Sequence, residues 1–349
     1  MSSMSPDRRE VVVVGAGVMG AATARALSRR GRRVLLLEQF RVGHKRGSSH
    51  GASRIFRFSY PEARYVRMAM GSLPLWRELE RETNADLLTT TGGIDRGKPL
   101  DDHVSALTEA GAEFELLDGA VARNRWAGLA LPQDEPALFQ PDAGIVAADR
   151  AVEAFAQSAL RNGTEILQGL RVQALDRRDD LVELETSGGR IQAAAVVVTA
   201  GAWAGRLLAT ADIPLAIRPT RETVVYFKLE GATPTLVEWG EPSIYALPSP
   251  GDGIKVGEHI AGPVTDPDHE GEPNRQSVER LRRWVGERFP TADSQPHHAE
   301  TCLYTNTPDQ HFVLERHDRV VVGSPCSGHG FKFAPWIGNR LADLAEEIL

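Results

Sequence analysis

The sequence predicts a mixed α/β plus α+β protein, in which a Rossmann-like domain built from discontinuous segments carries an antiparallel β-sheet domain. Three observations lead to this fold class. The chain opens with a strand, a glycine turn, a helix and a second strand, and residues 144–208 and 319–349 return to elements of the same kind. Between them, residues 220–229 and 242–257 are β-rich and interrupted by Pro and Gly, which indicates the antiparallel sheet.

The first forty residues predict a βαβ unit. Residues 10–14 are mostly β-branched, residues 21–30 are rich in helix-forming side chains, and residues 34–37 are apolar again. Residues 61–83 carry apolar side chains at helical spacing, and Pro74 within them predicts a kink or a division of that helix.

The remaining elements complete two domains. In chain order we expect a strand and turn at 87–97, a helix at 151–162, strands near 165–167, 181–186 and 195–199, and a helix that begins near Trp203. The predicted dinucleotide-binding domain comprises residues 1–86, 145–215 and 305–349, and the predicted substrate domain comprises residues 87–144 and 216–304.

Length and composition restrict the class of protein. A chain of 349 residues, with 42% hydrophobic and 25% charged residues, is long enough for two domains with separate cores. A net charge of −7 argues against nucleic-acid binding, and no apolar run approaches the ~18 residues of a membrane span. Residues 1–10 are too polar for a signal peptide, and the two cysteines fit a reducing compartment, so we expect a cytoplasmic protein.

The pattern Gly15-x-Gly17-x-x-Gly20 lies between the first strand and the first helix. The missing side chains allow a tight turn and close approach to a pyrophosphate, while N–H groups at the helix start face the anion. Glu38 ends the next strand, where an acid accepts hydrogen bonds from ribose hydroxyls and repels a 2′-phosphate. The other predicted dinucleotide contacts in this unit are Val18, Met19 and Gln39. This unit alone leaves NAD and FAD open as ligands.

Three further motifs carry a resemblance to a known family. They are GSSHGASRIFR at 47–57, TCLYT at 301–305 and SGHGFK at 327–332. In this order and at these intervals they resemble the monomeric sarcosine oxidase and N-methyltryptophan oxidase family, from about residue 11 to residue 349. The resemblance implies a monomeric flavoprotein of the D-amino-acid-oxidase type, with FAD as its cofactor. It also implies that a secondary amino acid and oxygen are converted to an imine and hydrogen peroxide.

The same resemblance implies a set of FAD contacts beyond the first βαβ unit. These residues are Ser49, His50, Ser53, Arg54, Gly201, Trp203, Cys302, Gly328, Gly330, Phe331 and Lys332. Cys302 matches the cysteine that bonds through sulfur to the flavin 8α carbon, although an isolated Cys in an apolar strand is by itself typical of a packed core residue. Arg54 matches an arginine against the flavin ring, and Lys255 matches a lysine near N5 that promotes electron transfer to oxygen. Cys326 has no such match and is interpreted as a packing residue near the active site.

Arg57 and Lys332 match the two cations that bind the substrate carboxylate in this family. Arg offers a bidentate fork and Lys a point charge, whereas without the resemblance both would be expected on the solvated surface. His259 matches an active-site histidine that is either a base or an orienting group, and its residue type fits both roles. By the same match we expect Tyr245 among the catalytic residues and His329 and Tyr304 among the substrate-binding residues.

The leading hypothesis is therefore an FAD-dependent oxidase of an N-methyl, N-alkyl or cyclic amino acid. One alternative is a flavin dehydrogenase that passes electrons to a protein or quinone, which Lys255 disfavours. Another is a catalytically silent FAD-binding protein, which Cys302 and the cations disfavour. Ala52 and Glu258 depart from the family pattern, so the substituent on the amine stays open. No histidine or cysteine spacing predicts a metal site.

Overall fold

The computed structural model describes residues 7–97 and 100–349. Its strands are β1 (Asp7–Val14), β2 (Val34–Glu38), β3 (Arg54–Phe56), β4 (Leu88–Thr90), β5 (Gly93–Gly97), β6 (Glu115–Leu117), β7 (Ala137–Gln140), β8 (Gly144–Val146), β9 (Glu165–Gln168), β10 (Val172–Arg177), β11 (Val182–Thr186), β12 (Gly189–Val198), β13 (Arg218–Phe227), β14 (Thr235–Trp239), β15 (Ile244–Ser249), β16 (Gly253–Glu258), β17 (His298–Asn306), β18 (Val313–His317) and β19 (Val320–Ser324). Its α-helices are α1 (Val18–Arg29), α2 (Ala63–Thr83), α3 (Leu100–Ala110), α4 (Gly119–Arg125), α5 (Ala148–Arg161), α6 (Ala204–Ala209), α7 (Arg275–Arg288) and α8 (Ala334–Glu346). The prediction that residues 1–10 do not form a signal peptide falls largely outside the described residues.

The first sheet has the order β10-β11-β12-β1-β2-β9, and β19 pairs with both β12 and β18. Its centre is parallel, because β1 pairs in parallel with β2 and β12. Val11 and Val13 pack into the core on one face, and Val12 and Val14 pack into the core on the other. A parallel sheet that is covered on both faces needs strands that are apolar throughout, which explains the uninterrupted valine run. The Rossmann-like layer is therefore confirmed.

Four helices cover one face of this sheet, with α1 packed against α5 and α8, and α2 packed against α8. The helix α2 is continuous although Pro74 lies inside it, so the predicted division of this helix is wrong. Val66 and Leu79 lie on either side of Pro74, and both are completely buried. Their packing holds the two halves in one helix and offsets the cost of about 3 kcal/mol that an internal proline brings.

The second sheet has the order β17-β13-β16-β15-β14-β5-β7-β6 and is antiparallel except at the β14–β5 pair, which is parallel. The helix α7 packs against it, with Leu281 and Trp284 next to Val225 and Val256 in a separate core. A small third sheet has the order β3-β8-β4. Because β8 spans Gly144–Val146, the predicted domain boundary between residues 144 and 145 falls inside a strand.

The two large sheets meet around one cavity. Val14 and Leu37, near the carboxyl ends of β1 and β2, line it from the first sheet, and Val224 and Leu247 line it from the second. This is the position at which ligands bind in open α/β sheets. Within the described ranges, no helix combines the length and the apolar character that crossing a bilayer requires.

Candidate active site

The cavity between the two sheets has a volume of about 730 Å³. Most of the residues that the sequence predicts for the site lie in its wall. They are Gly15, Gly17, Val18, Met19, Glu38, Gln39, Ser49, Ser53, Arg54, Arg57, Gly201, Trp203, Tyr245, Lys255, His259, Cys302, Tyr304, Gly328, His329, Gly330, Phe331 and Lys332. Residues that are far apart in the chain are therefore brought into one cavity.

The glycine turn between β1 and α1 has no room for a side chain at Gly15 or Gly20. A Cβ on Gly15, whose φ is +98°, would lie 2.7 Å from the Thr199 carbonyl oxygen, and a Cβ on Gly20 would lie 1.8 Å from the Gly15 carbonyl oxygen. Helix α1 starts from Gly17 with no acidic residue in its first turn. The backbone at this helix start fits a pyrophosphate, because it offers N–H groups and the first turn of the helix carries no acidic side chain of its own.

Glu38 ends β2 with its side chain buried in the wall of the cavity. Its two carboxylate oxygens accept hydrogen bonds from the backbone N–H groups of Ala16 at 2.8 Å and Phe40 at 2.9 Å. A carboxylate has about four acceptor positions, so acceptor capacity remains after these two bonds. The position and the remaining lone pairs fit the hydroxyls of a ribose.

Cys302 lies on β17, next to the loop that precedes β3. Arg54 Nη2 is 3.7 Å from Cys302 Sγ and donates a hydrogen bond to the Ser48 carbonyl oxygen at 3.0 Å. Burial raises the pKa of the Cys302 thiol, and the positive charges of Arg54 and Lys255 act in the opposite direction. The two cations therefore partly offset the cost of forming a thiolate in this buried position.

Lys255 projects from β16 into the cavity and is 3% exposed. Burial and the neighbouring charge of Arg54 lower the pKa of Lys255 to about 7. Within the described part of the chain, its Nζ atom donates no hydrogen bond, although it lies 5.7 Å from the centre of the Tyr226 ring. Near neutral pH this amine therefore exchanges between its charged and neutral forms.

Arg57 and Lys332 form a second basic group in the wall of the cavity. The Arg57 guanidinium lies over the rings of Tyr60 and Trp239, at 4.6 and 5.0 Å from their centres. Lys332 Nζ donates hydrogen bonds to the Tyr60 hydroxyl at 2.7 Å and to the His329 carbonyl oxygen at 2.8 Å. Burial and then the Arg57 charge lower the pKa of Lys332 well below its usual value. An anion bound here would favour the charged form of this lysine.

Asp95 lies next to Arg57 and is not among the residues that the sequence predicts for the site. It is 1% exposed, its Oδ1 atom lies 3.7 Å from Arg57 Nη1, and it accepts hydrogen bonds from Trp239 Nε1 and Gln140 Nε2, both at 3.0 Å. Burial raises the pKa of Asp95 and the Arg57 charge opposes this rise. An acidic residue inside an otherwise buried strand needs a charged or polar partner, and this signal in β5 could have identified it.

Gln140 joins Asp95 to the backbone that carries Arg57. Its Oε1 atom accepts hydrogen bonds from the backbone N–H groups of Phe58 and Ser59, both at 2.8 Å. The segment that follows β3 is therefore fixed by a buried side chain from β7. The orientation of the Arg57 guanidinium depends on this network as well as on the rings around it.

Four aromatic and imidazole groups in the wall remain uncharged at neutral pH. Burial, followed by the charges of Arg57 and Lys332, lowers the pKa of His259 to about 4. Burial raises the pKa of Tyr245 to about 12 and that of Tyr304 well above its usual value.

His329 is the fourth of these groups. Burial and the Lys332 charge lower the pKa of His329 well below its usual value. Its Nε2 atom is 3.0 Å from the Gln310 carbonyl oxygen, which can only accept, so we place the proton on Nε2. The buried Nδ1 atom then remains as an acceptor without a partner within the described ranges.

Two predicted cofactor residues do not line the cavity. Gly20 packs under the glycine turn, where its missing side chain allows contact with Gly15 and Thr199. His50 is 3% exposed and lies behind the wall, with its Nδ1 atom 4.0 Å from a carboxylate oxygen of Glu300. Neither of its ring nitrogens has a hydrogen-bond partner within the described part of the chain.

Comparison with known proteins extends over nearly the whole chain. The profile of the DAO family, described as FAD dependent oxidoreductase, matches residues 10–344. A monomeric sarcosine oxidase of Bacillus sp. (strain NS-129) is 34% identical, over 96% of this chain and 92% of that protein. An N-methyl-L-tryptophan oxidase of Escherichia coli O9:H4 (strain HS) is 29% identical, over 97% of this chain and 95% of that protein. The solved open form of NikD, an unusual amino acid oxidase essential for nikkomycin biosynthesis, has a TM-score of 0.88 at 27% identity and covers 98% of this chain and 94% of its own.

Proposed function

The chain belongs to the family of FAD-dependent oxidoreductases, and from this premise we propose that it is an oxidase of a secondary amino acid, either N-alkylated or cyclic. The observation that carries the proposal is the pair Arg57 and Lys332, two basic groups held among aromatic rings in the cavity that also contains the glycine turn. Relatives that are named for sarcosine and for N-methyl-L-tryptophan support a substrate with a substituted amine beside a carboxylate.

The substrate carboxylate binds between the two basic groups. Arg57 offers a planar fork for both carboxylate oxygens, and Lys332 adds a compact charge beside it. The rings of Tyr60 and Trp239 keep water away from the guanidinium, which strengthens its interaction with an anion. The amine and its substituent then face the remaining wall of the cavity.

The residues present fit FAD as the cofactor. The glycine turn would hold the pyrophosphate, Glu38 would hold the ribose, and Arg54, Lys255 and Cys302 would hold the flavin. When bound, FAD supplies the oxidant that takes a hydride equivalent from the carbon next to the amine nitrogen and passes electrons to oxygen. Lys255 places a positive charge where negative charge develops on oxygen.

His259 orients the amine in this proposal and does not act as a strong base. A pKa of about 4 keeps its imidazole neutral at pH 7, so it holds a hydrogen bond to the substrate without removing a proton effectively. Its ring lies 5.8 Å from the Tyr304 ring, centre to centre, which fixes its place in the wall.

We propose further that FAD is attached covalently through Cys302 Sγ. The support is the buried thiol beside Arg54 and the match of its motif to the family. Acid denaturation of the purified holoenzyme should leave the yellow chromophore on the protein, and Cys302→Ser should release it. Cys326→Ser is the matched control, because Cys326 also lines the cavity, and it should retain the chromophore. Complete release of flavin from the wild-type protein would contradict the attachment.

A substrate panel tests the oxidase proposal. Sarcosine, other N-methyl amino acids, proline and pipecolate should release hydrogen peroxide, and the corresponding amines without a carboxylate should not. If none of the secondary amino acids releases hydrogen peroxide, the proposed substrate class is wrong. Bleaching of the flavin under anaerobic conditions, followed by slow recovery in air, would instead indicate a dehydrogenase. A monomeric state and a cytoplasmic location stay predictions.

A further inference from the structure

Three charged side chains meet beside Gly51, on the wall where Lys255 lies. A Cβ on Gly51 would lie 3.2 Å from Arg54 Nη1, 3.3 Å from Lys255 Nζ and 3.7 Å from Glu300 Oε1. Gly51 has a φ of +108°, a backbone conformation that favours glycine, and its missing side chain leaves this small space open. Two cationic groups and one carboxylate therefore converge on one point.

The register of three strands places the carboxylate there. Strand β13 lies between β16 and β17, and Tyr226 on β13 is paired with Lys255 on one side and with His298 on the other. Glu300 lies two residues after His298 and two residues before Cys302, so it shares a strand face with both. The Tyr226 hydroxyl donates a hydrogen bond to Glu300 Oε1, and its ring lies 5.7 Å from Lys255 Nζ. One tyrosine thus contacts both the amine and the carboxylate.

Two carboxylates act on Lys255, and they differ in what holds them. Asp149 Oδ1 accepts a hydrogen bond from the Gly51 backbone N–H at 2.8 Å, so this carboxylate fixes the loop. Glu300 is held by the Tyr226 hydroxyl, and its Oε2 atom is 4.0 Å from the nearest nitrogens of two histidines. The charged or titratable groups that act on Lys255 are Arg54, Cys302, Glu300 and Asp149, and Tyr226 packs beside it.

Glu300 itself stays ionised in this setting. Burial alone would raise its pKa, but the hydrogen bond from Tyr226 and the charges of Lys255, His50 and Arg54 bring the net pKa of Glu300 below its usual value. Its negative charge is thus present at neutral pH, where the Lys255 amine, with a pKa of about 7, is partly charged and partly neutral.

We propose that Glu300 is a positioning residue, the counter-ion that keeps the Lys255 amine protonated while the reduced cofactor reacts with oxygen. This inference rests on the proposed oxidase function, because only that function gives the Lys255 charge a task. Glu300 does not touch the reacting atoms in this role. It acts through the protonation state of Lys255.

The sign of the expected effect follows from the charges. Glu300 favours the charged form of Lys255, so its removal lowers the pKa of that amine, by about one pH unit for a close opposite charge. The charged form is present below the pKa and is lost as the pH rises through it. Replacing Glu300 should therefore leave the amine unchanged at pH 5 and deprotonate it at a lower pH than in the wild type.

Nuclear magnetic resonance of lysine side chains measures this shift directly, without catalysis. The chain contains only five lysines, so holoenzyme labelled with 13C at the lysine Cε gives a simple spectrum, and Lys255→Met assigns the relevant signal. The Lys255 titration midpoint should fall by about one pH unit in Glu300→Gln and return towards the wild-type value in Glu300→Asp. The exposed Lys228 serves as an internal reference and should not move.

Reoxidation kinetics connect the shift to oxygen. The flavin is reduced with dithionite, so no substrate is needed, and its reoxidation by air is followed from pH 5 to pH 9. In Glu300→Gln the fall in rate with rising pH should begin about one pH unit lower than in the wild type. At a pH above both midpoints the variant should therefore be about tenfold slower than the wild type, whereas at pH 5 the two rates should be equal. Lys255→Met should be slow and independent of pH.

The outcomes separate the proposed function of Lys255 from the role of Glu300. If Lys255→Met reoxidises like the wild type, the role of Lys255 in the proposed function fails. If Lys255→Met is slow but the midpoint and rate profile of Glu300→Gln match the wild type, the inference about Glu300 alone is wrong. Should Glu300→Gln not yield folded holoenzyme, Tyr226→Phe, which removes the hydrogen bond to Glu300, should shift the Lys255 midpoint in the same direction, and an unchanged midpoint there overturns the inference.

Discussion

The glycine turn and the Arg57–Asp95 group lie in the same cavity but are built differently. The turn is a contiguous piece of chain between β1 and α1, and backbone atoms define its shape. The Arg57–Asp95 group takes Arg57 from the segment after β3, Asp95 from β5, Trp239 from β14 and Lys332 from the 3₁₀ turn before α8. Its shape depends on side chains that the fold brings together over long distances in sequence.

This difference predicts two kinds of response to substitution. In the turn, one added carbon meets backbone atoms that cannot rotate away, so damage should be abrupt and should affect the fold and the cofactor together. In the Arg57–Asp95 group, several side chains together bind or orient the groups that would bind one anion. Loss of one of them should weaken substrate binding by degrees and leave the fold intact.

The largest effect is expected from Gly20→Ala in the turn. The new Cβ would lie 1.8 Å from the Gly15 carbonyl oxygen and 2.7 Å from Thr199 Oγ1, so β1 and α1 must separate. We expect a loss of about 3 kcal/mol in the free energy of unfolding and purification without bound flavin. Thermal unfolding and the flavin absorbance per chain measure the two effects.

Gly286→Ala is the matched control for this substitution. Gly286 lies within α7, and a Cβ there would meet no atom within 4 Å. Alanine stabilises a helix interior by about 0.5–1 kcal/mol relative to glycine, so this variant should be at least as stable as the wild type and keep its flavin. Wild-type flavin content in Gly20→Ala would show that the turn tolerates a side chain at this position. The turn would then not differ from the Arg57–Asp95 group in its response to substitution.

A smaller effect, confined to the substrate, is expected from Arg57→Met. Hydrogen bonds to charged groups contribute about 1.5–3 kcal/mol each, and loss of a bidentate pair should lower kcat/KM by about a hundredfold or more. Most of the change should appear in KM, while flavin content and thermal stability stay close to the wild type. Steady-state peroxide release with the best substrate of the panel measures it.

Arg125→Met controls for the loss of an arginine that is stacked on aromatic rings. Arg125 lies over Trp126 and Phe139 at 4.8 and 4.3 Å and pairs with Glu115, but it does not line the cavity. Its removal should leave KM unchanged. An Arg57→Met variant with the KM of the wild type would show that the carboxylate binds elsewhere.

The same contrast explains what the sequence could predict. The turn and Glu38 follow from a local pattern, since the chain itself places them at the ends of β1 and β2. Arg57 and Lys332 have no local pattern that separates them from surface cations, and only the resemblance to a family assigned them a role. The only sequence signal for Asp95 is an acidic residue in an otherwise buried strand. Its partners come from β7, β14 and the segment after β3, and no sequence spacing encodes these neighbours.

Register decides the remaining cases. Glu300 lies in the motif-bearing strand β17, yet its relation to Lys255 depends on Tyr226 in the strand between them. Pro74 predicts a division of α2 from local propensity, and the packing of Val66 and Leu79 overrides it. In both cases a tertiary contact decides the outcome, and such contacts cannot be read from one segment of sequence.

The smallest effect is expected from Asp95→Asn. This variant tests whether loss of one side chain of the Arg57–Asp95 group weakens carboxylate binding only in part. The amide keeps the size of the carboxylate but removes the charge that faces Arg57 at 3.7 Å and weakens the acceptor for Trp239. The guanidinium should lose part of its fixed orientation, at a cost of about 1 kcal/mol in binding, or about fivefold in Kd. Titration of the holoenzyme with a carboxylate that cannot be oxidised, followed by the flavin absorbance, measures Kd without turnover.

Glu82→Gln shows whether such a change is specific to the cavity. Glu82 pairs with Arg25, which is buried between α1 and α2, so its replacement removes a comparable charge far from the substrate. It should lower thermal stability without changing Kd, whereas Asp95→Asn should change Kd at nearly constant kcat. If Asp95→Asn binds the carboxylate as tightly as the wild type, the rings of Tyr60 and Trp239 suffice to orient Arg57. The charge of Asp95 would then have no part in carboxylate binding, and Arg57 and Lys332 would account for it without Asp95.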